Sequence, residues 1–190
     1  MTNTLSPEFR AVKARSILED TIKLMAADAE KIIQQHTPTF KLEIVKCDWS
    51  PTRTAHRGGL YRKMPGINMA MYRLFGIATW VLNPALEQNE PFKVYEYASF
   101  DHDPVIGGFY TTNIYDRARC YVCHEVAHAE QFWSKLNNPK TYDRPHGLSF
   151  QQPYSILRKT LVNPGLPNQS IMLKQYKEHV TKVIANARKI

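Results

Sequence analysis

Two histidines and one glutamate in the second half of the chain have the spacing of a hydrolytic metal site. His124 and His128 lie four residues apart, and Glu125 directly follows the first of them. On an α-helix, residues i and i+4 lie on one face, so both imidazoles can bind the same zinc ion. Zinc lowers the pKa of a bound water to about 7, and a neighbouring carboxylate can take the remaining proton as that water attacks a carbonyl carbon. The pattern therefore indicates zinc-dependent hydrolysis with Glu125 as the general base.

The residues around this motif predict the helix that the chemistry requires. Asn113 can cap a helix, with Asp116 as an acidic residue in its first turn. Apolar or small residues then recur at helical spacing, at Ile114, Ala118, Val122, Val126, Ala129, Phe132 and Trp133. Cys120 and Cys123 form a CxxC pair on the same helix, which we interpret as two buried small side chains because a second metal site would need further ligands.

A catalytic zinc needs a third protein ligand, and few downstream residues can supply one. Glu178 is the only glutamate after the motif helix, and it lies far along a predicted terminal helix. Asp143 and His146 both lie in the loop that follows the motif helix. His146 is the better candidate, because Pro145 and Gly147 predict a tight turn around it.

The motif and this loop together resemble the SprT-like zinc metalloproteases, the family that includes the DNA–protein crosslink protease Spartan. That family pairs an HExxH helix with a downstream His-Gly-x-x-Phe segment, which residues 124–128 and 146–150 match. Residues 58–61 and 67–71 are similar to the family's glycine turn and to the strand before the active-site helix. The resemblance covers roughly residues 40 to 160. It implies a zincin fold, a protease activity and His146 as the third zinc ligand.

The chain as a whole predicts an α+β, zincin-like fold. We expect a single SprT-like domain over residues 1–190, with residues 80–112 as an insertion. A helix or helix pair should run from Pro7 to about Gln35 and pack against a small, mostly antiparallel sheet. The HExxH helix and further C-terminal helices, the last capped by Asn168 or Ser170, complete the fold.

The strands of this sheet can be assigned from short apolar or alternating runs. Four strands are predicted, at residues 40–45, 67–75, 92–97 and 109–111. The second of them is expected to be an edge strand, along which a substrate peptide could be added by backbone pairing. Gly58 and Gly59 suit a hairpin bend, and Asp101 to Asp103 suit a turn stabilised by aspartate side chains, with a separate metal site at His102 as the weaker alternative.

Basic residues are concentrated in one stretch of the chain. The formal net charge is +8, and no acidic residue occurs between Trp49 and Leu86. Tyrosines are interleaved there with candidate nucleic-acid contacts, namely Arg53, Arg57, Arg62 and Lys63. Basic groups bind phosphates and aromatic rings stack on unpaired bases, so the pattern predicts DNA binding with a preference for single strands. A solvated basic face is the alternative interpretation.

Two other functions are compatible with the same residues. One is a non-enzymatic zinc-containing domain that binds nucleic acid or protein, although a purely structural metal site does not need Glu125. The other is a zinc amidase. The first residues lack a basic stretch followed by an apolar run, no apolar run is long enough to cross a membrane, and the three cysteines make no disulfide framework. We therefore expect a soluble cytoplasmic protein, or one in the nucleoid or nucleus if it binds DNA, with a protein or peptide substrate and no membrane association.

Overall fold

Helices and short strands alternate in the computed structural model, which describes residues 7–53, 55–75 and 90–187. The α-helices of the described residues are α1 (Pro7–Gln34), α2 (Met71–Phe75), α3 (Ile114–Asn137), α4 (Leu148–Leu157) and α5 (Gln169–Ala187). Their strands are β1 (Ile44–Asp48), β2 (Arg57–Tyr61), β3 (Met64–Ala70), β4 (Phe92–Val94) and β5 (Phe109–Thr111). This combination of helices with small sheets confirms the predicted α+β class.

The N-terminal segment is one continuous helix. Pro7 is its first residue, a position where the missing N–H is not needed. Its buried side chains recur at helical spacing, at Ala14, Leu18, Ile22, Met25, Ala26, Ala29 and Ile33. Val12 and Ile17, which have apolar side chains, are instead exposed. The buried face packs against α3, α4 and β1, so of the two predicted possibilities the single helix is correct.

The HExxH helix α3 is the central element of the core. Asn113 caps it as predicted, because its side-chain oxygen accepts a hydrogen bond from the Tyr115 N–H at 2.9 Å. Asp116 accepts a hydrogen bond from the Thr111 hydroxyl at 2.6 Å, which ties the helix start to β5. Helices α1 and α4 and strands β2 and β3 all pack against this helix. Cys120 and Cys123 are buried and form no disulfide, which confirms their interpretation as buried side chains.

The main sheet has the strand order β1-β3-β2, with β1 parallel and β2 antiparallel to β3. The prediction that residues 67–75 form an edge strand is therefore wrong. The strand begins earlier, at Met64, and lies in the centre of the sheet, while residues 71–75 form α2. Six of the seven residues of β3 are at least partly buried, as expected of a central strand. The predicted strand at residues 40–45 begins later, at Ile44.

The bend between β2 and β3 lies at Arg62 and Lys63 rather than at the predicted glycine pair. Both residues are left-handed, with φ angles of 52° and 69°, as a two-residue hairpin of type I′ requires. Gly58 and Gly59 lie inside β2. A Cβ atom on Gly58 would overlap the carbonyl oxygen of Glu125. The glycine therefore serves the close approach of β2 to the backbone of α3, not a turn.

A second sheet pairs β4 with β5 in antiparallel fashion, which confirms the predicted hairpin, although β4 ends already at Val94. The loop between them contains the expected aspartate turn, because the Asp103 side chain accepts hydrogen bonds from the Val105 and Ile106 N–H groups. Two of the three strand pairings in the described residues are thus antiparallel. The proposed insertion at residues 80–112 falls partly outside the described residues.

The C-terminal part closes the fold behind the HExxH helix. Helix α4 continues into a π-helical turn at Arg158–Val162, and Asn168 caps α5 by accepting hydrogen bonds from the Ser170 and Ile171 N–H groups. Gln169 bonds the backbone of Tyr110 and so attaches α5 to β5. In the described part of the chain, no helix combines the length and the apolar character needed to span a membrane.

The close contact of β2 with α3 makes Gly58 sensitive to substitution. We expect Gly58→Ala to lower the free energy of unfolding by about 2 kcal/mol or more, because the new methyl group would meet backbone atoms of Glu125. Gly165→Ala is the matched control, since a Cβ there has no atom within 4 Å, and its effect should stay within about 0.5 kcal/mol. Urea unfolding followed by circular dichroism measures both. Equal stability of the two variants would show that β2 does not pack closely against the backbone of α3.

Candidate metal centre

Three histidines converge between α3 and the turn before α4. The candidate ligand nitrogens of His124, His128 and His146 all lie within 4.8 Å of one another. The Nε2 atoms of His128 and His146 are 2.8 Å apart. Among the described residues this is the one group of three or more metal-binding side chains, and it consists of the three histidines that the sequence predicts as ligands.

The other ring nitrogen of each helix histidine faces an oxygen acceptor. Glu96 Oε2 lies 3.3 Å from His124 Nδ1, within ion-pair distance although the angle is not that of a formed hydrogen bond. Gln131 Oε1 lies 3.3 Å from His128 Nδ1. A proton on each Nδ1 lies on the side of these oxygens and leaves the lone pair on Nε2. The donor set therefore fits a metal ion, because lone pairs from both helix histidines face the region that His146 also approaches.

The orientation of the Gln131 amide follows from its own contacts. Its NH₂ group donates hydrogen bonds to the Arg144 carbonyl at 2.9 Å and to the Ser149 hydroxyl at 2.8 Å. The amide oxygen must then be the atom that faces His128. Gln131 thus connects the HExxH helix to both sides of the turn that carries His146.

Aromatic rings pack against the histidine cluster, Phe150 and Tyr97 most closely. The buried ring of Phe150 has its centroid 4.9 Å from that of His124, 4.3 Å from that of His128 and 4.9 Å from that of His146. Tyr97, which is about half exposed, packs against His146 at a centroid distance of 4.0 Å. The Phe of the His-Gly-x-x-Phe segment therefore supports all three candidate ligands at once.

Burial keeps two of the imidazoles neutral. It is the largest effect on His128 and lowers its pKa to about 3, with the charges of His124 and His146 acting in the same direction. Burial likewise lowers the pKa of His146 to about 4, again assisted by His124. A metal ligand must be a neutral imidazole, so both side chains are in the required form at neutral pH.

Backbone geometry and one carboxylate hold His146 in place. The residue is left-handed, with φ of 60°, an uncommon conformation outside glycine. Asp143, the alternative ligand considered from the sequence, is not part of the histidine group. Its carboxylate instead accepts hydrogen bonds from the Ser149 hydroxyl and from the Arg144 and Leu148 N–H groups, and these lower its pKa to about 2. Asp143 therefore caps α4 and fixes the turn.

Glu125 is buried beside the cluster on the side of β2. Burial has the largest effect on its carboxyl group and raises its pKa, while the charge of His124 and a backbone hydrogen bond from Gly58 lower it. The net shift is upward, which makes the carboxylate a stronger base. Glu125 thus lies next in the chain to one candidate ligand and in contact with the edge strand β2.

Glu96 and Gln131 are the site residues that sequence reasoning missed. Gln131 lies three residues after His128, a spacing that places it on the same helix face and could have identified it. Glu96 stands between Tyr95 and Tyr97 in a run that the sequence assigned to a strand. A single acidic residue among aromatic ones was its only signal, and its contact with His124 joins segments far apart in the chain.

The predicted nucleic-acid contacts lie mainly on the β2–β3 hairpin. Arg57, Arg62 and Lys63 are exposed there. Tyr61 lies among them and is within 6.0 Å of the Arg57 guanidinium. Arg53 differs, because it is partly buried and its Nε lies 3.7 Å from an Asp48 oxygen, which offsets its charge.

No protein-family model matches the chain, and neither does any curated protein or solved structure. The SprT-like resemblance and the zincin arrangement therefore stay predictions. What supports a functional assignment is the geometry of the three histidines, Glu125 and their surroundings.

We predict one zinc ion per chain, bound through the three histidines. His146→Ala should lose stoichiometric zinc, because two histidines leave too few protein ligands for a tight site. Asp143→Asn should keep it, because Asp143 is not one of the candidate ligands and asparagine retains an oxygen that can accept hydrogen bonds from the turn. Metal content measured by mass spectrometry after dialysis checks both. Full zinc in His146→Ala together with loss in Asp143→Asn would reverse the ligand assignment.

Proposed function

We propose that this chain is a zinc-dependent metallopeptidase of zincin-like architecture, related to the SprT-like proteases. The observation that carries the proposal is the convergence of His124, His128 and His146 within 4.8 Å, with Glu125 following the first ligand on the same helix. Bound zinc would supply Lewis-acid chemistry, polarising the carbonyl group and lowering the pKa of water to about 7.

Glu125 has the position and the environment of a general base. In the proposed reaction it takes a proton from the attacking water and later gives it to the leaving amine nitrogen as the C–N bond breaks. Water is thereby added across the peptide bond. The raised pKa of this buried carboxylate suits both halves of the cycle, because the group must accept the proton and then release it.

The edge strand β2 favours a polypeptide as the substrate. Among the described strands, β2 pairs only with β3, and Gly58 brings it into contact with the backbone of Glu125. An extended peptide could pair with the other edge of β2 and so place a peptide bond beside the base. The predicted role of an edge strand is thus transferred from residues 67–75 to residues 57–61.

The two alternatives have less support. A non-enzymatic zinc-containing binding domain would have no use for a buried carboxylate beside the ligands. A zinc amidase would use the same chemistry on a small substrate, and the strand edge next to Glu125 favours a longer one.

Glu125→Gln should abolish hydrolysis while zinc binding and folding persist. The substitution keeps the volume of the side chain but removes the base, so the rate should fall by a factor of about 10² to 10⁴. Cleavage of a fluorescently labelled unfolded protein measures the rate. Glu178→Gln on α5 is the matched control, since Glu178 is exposed, and it should cleave at the wild-type rate. Wild-type cleavage by Glu125→Gln would remove this residue from the mechanism.

We also propose that the protease acts on proteins bound to DNA, with single strands preferred. The support is the exposed cluster of Arg57, Arg62 and Lys63 around Tyr61, on the same hairpin whose Gly58 contacts Glu125. Cations and an aromatic ring in this combination can bind phosphates and stack on an unpaired base. The proximity of this cluster to the base would bring DNA-bound proteins to the site.

Charge reversal on the hairpin should weaken DNA binding without changing zinc content. The hairpin variant replaces Arg57, Arg62 and Lys63 by Glu. A control with the same change in net charge replaces three lysines on α5 by Glu, namely Lys174, Lys177 and Lys182. Affinity for a fluorescent single-stranded oligonucleotide is measured against salt. The log–log slope should flatten by about 2 in the hairpin variant, at about 0.7 per lost phosphate contact.

The control variant should retain a slope close to that of the wild type. An equal loss of DNA affinity in both variants would mean that binding depends only on the net charge of the protein. Undetectable binding of the wild type at about 50 mM salt would exclude the DNA role and leave a protease without it.

A further inference from the structure

A buried polar cluster lies directly behind His124. Its centre is Glu96, whose side chain is 2% exposed. One carboxylate oxygen faces His124 Nδ1 at 3.3 Å. The other accepts a short hydrogen bond from the Tyr154 hydroxyl and a contact from Cys120 Sγ at 3.2 Å, and lies 3.9 Å from Arg158 Nη1. Both oxygens of this carboxylate therefore have polar partners within the core, and only one of them faces a candidate metal ligand.

Arg158 is the cation of this cluster and is fixed by several bonds. Its side chain is also 2% exposed. The guanidinium donates to the Tyr154 hydroxyl, to the Gly107 carbonyl and to the Asn163 side-chain oxygen, each at 3.1 Å. These partners come from the β4–β5 loop, from α4 and from the turn after it. Packing from three segments thus holds the positive charge near Glu96.

Burying a charge is costly unless an opposite charge and hydrogen bonds accompany it. Glu96 has both, in Arg158 and Tyr154. A carboxylate at the far nitrogen of a metal-bound histidine fixes the orientation of the ring and increases its basicity, which strengthens metal binding. The carboxylate can serve His124 in this way only while its own charge is offset within the core.

We propose that Arg158 acts as a positioning residue that sets the zinc affinity of the centre through Glu96 and His124. The inference rests on the proposed zinc binding. Arg158 belongs to the π-helical turn after α4, and its guanidinium contacts Glu96, Tyr154, Gly107 and Asn163, none of which is a candidate metal ligand. The C-terminal part of the fold therefore tunes the metal centre rather than only covering the core.

A double-mutant cycle on zinc affinity tests this relay. The dissociation constant is measured by competition with a chromophoric chelator for the wild type, Glu96→Gln, Arg158→Met and the double variant. Glu96→Gln should bind zinc about 10 to 100 times more weakly, as is usual for the outer partner of a metal-bound histidine. Arg158→Met should weaken binding in the same direction. In the Glu96→Gln background, Arg158→Met should add no more than about twofold, because its route to the metal is already removed.

Three further variants separate the relay from a general loss of stability. Arg158→Lys keeps the positive charge, so its zinc affinity should be closer to that of the wild type than the zinc affinity of Arg158→Met. Tyr154→Phe keeps the charges of Glu96 and Arg158, so its zinc affinity should be closer to that of the wild type than the zinc affinity of Glu96→Gln. Val162→Ala, a buried neighbour in the same turn, should lower the melting temperature and leave zinc affinity within about twofold.

The outcomes are distinct. Unchanged zinc affinity in Glu96→Gln, or additive losses in the double variant, would overturn the relay while leaving the proposed protease intact. If Arg158→Met does not fold, the comparison of Arg158→Lys with Glu96→Gln replaces it. A loss of zinc affinity in Arg158→Lys as large as that in Glu96→Gln would overturn the proposed role of the positive charge. A wild-type chain that binds no zinc would instead overturn the proposed function itself.

Discussion

An imidazole directs a lone pair toward a metal site only when its proton is on the other ring nitrogen, and in both helix histidines that nitrogen faces an oxygen acceptor held by the core. Glu96 faces His124 Nδ1, and Gln131 faces His128 Nδ1. Each of these acceptors is in turn held by other groups, Glu96 by the buried Tyr154 and Gln131 by the His146 turn. The helices and strands around α3 therefore hold Glu96 and Gln131 in position beside the histidines.

The surroundings of α3 combine close backbone packing on one side with a buried polar cluster on the other. Toward β2, Gly58 contacts the backbone of the helix at Glu125. Behind His124 lie an ion pair, a phenol and a thiol, all buried. Buried polar groups of this kind need complete bonding, which binds the β4–β5 loop, α4 and the π-helical turn into one unit.

Local signals made much of the fold and of the site predictable. Four-residue spacing placed His124 and His128 together, the Asn113 cap fixed the start of their helix, and Pro145 with Gly147 marked the turn at His146. Non-local pairing was not predictable in the same way. The order of the sheet depends on which strand β3 meets, and the glycine pair in β2 is read as a bend until its contact with Glu125 is known. Glu96 was missed for the same reason, because its partners lie up to 62 residues away.

The β2–β3 hairpin shows a conflict between folding and surface chemistry. A left-handed backbone costs a non-glycine residue about 1 to 2 kcal/mol, and Arg62 and Lys63 both adopt it. An Asn-Gly pair would form the same turn with less strain. The chain thus gives up stability at this bend and gains two cations at the tip of a strand that touches Glu125. The pairs that most favour this turn, such as Asn-Gly and Asp-Gly, carry no cation, so turn propensity alone does not account for Arg62 and Lys63.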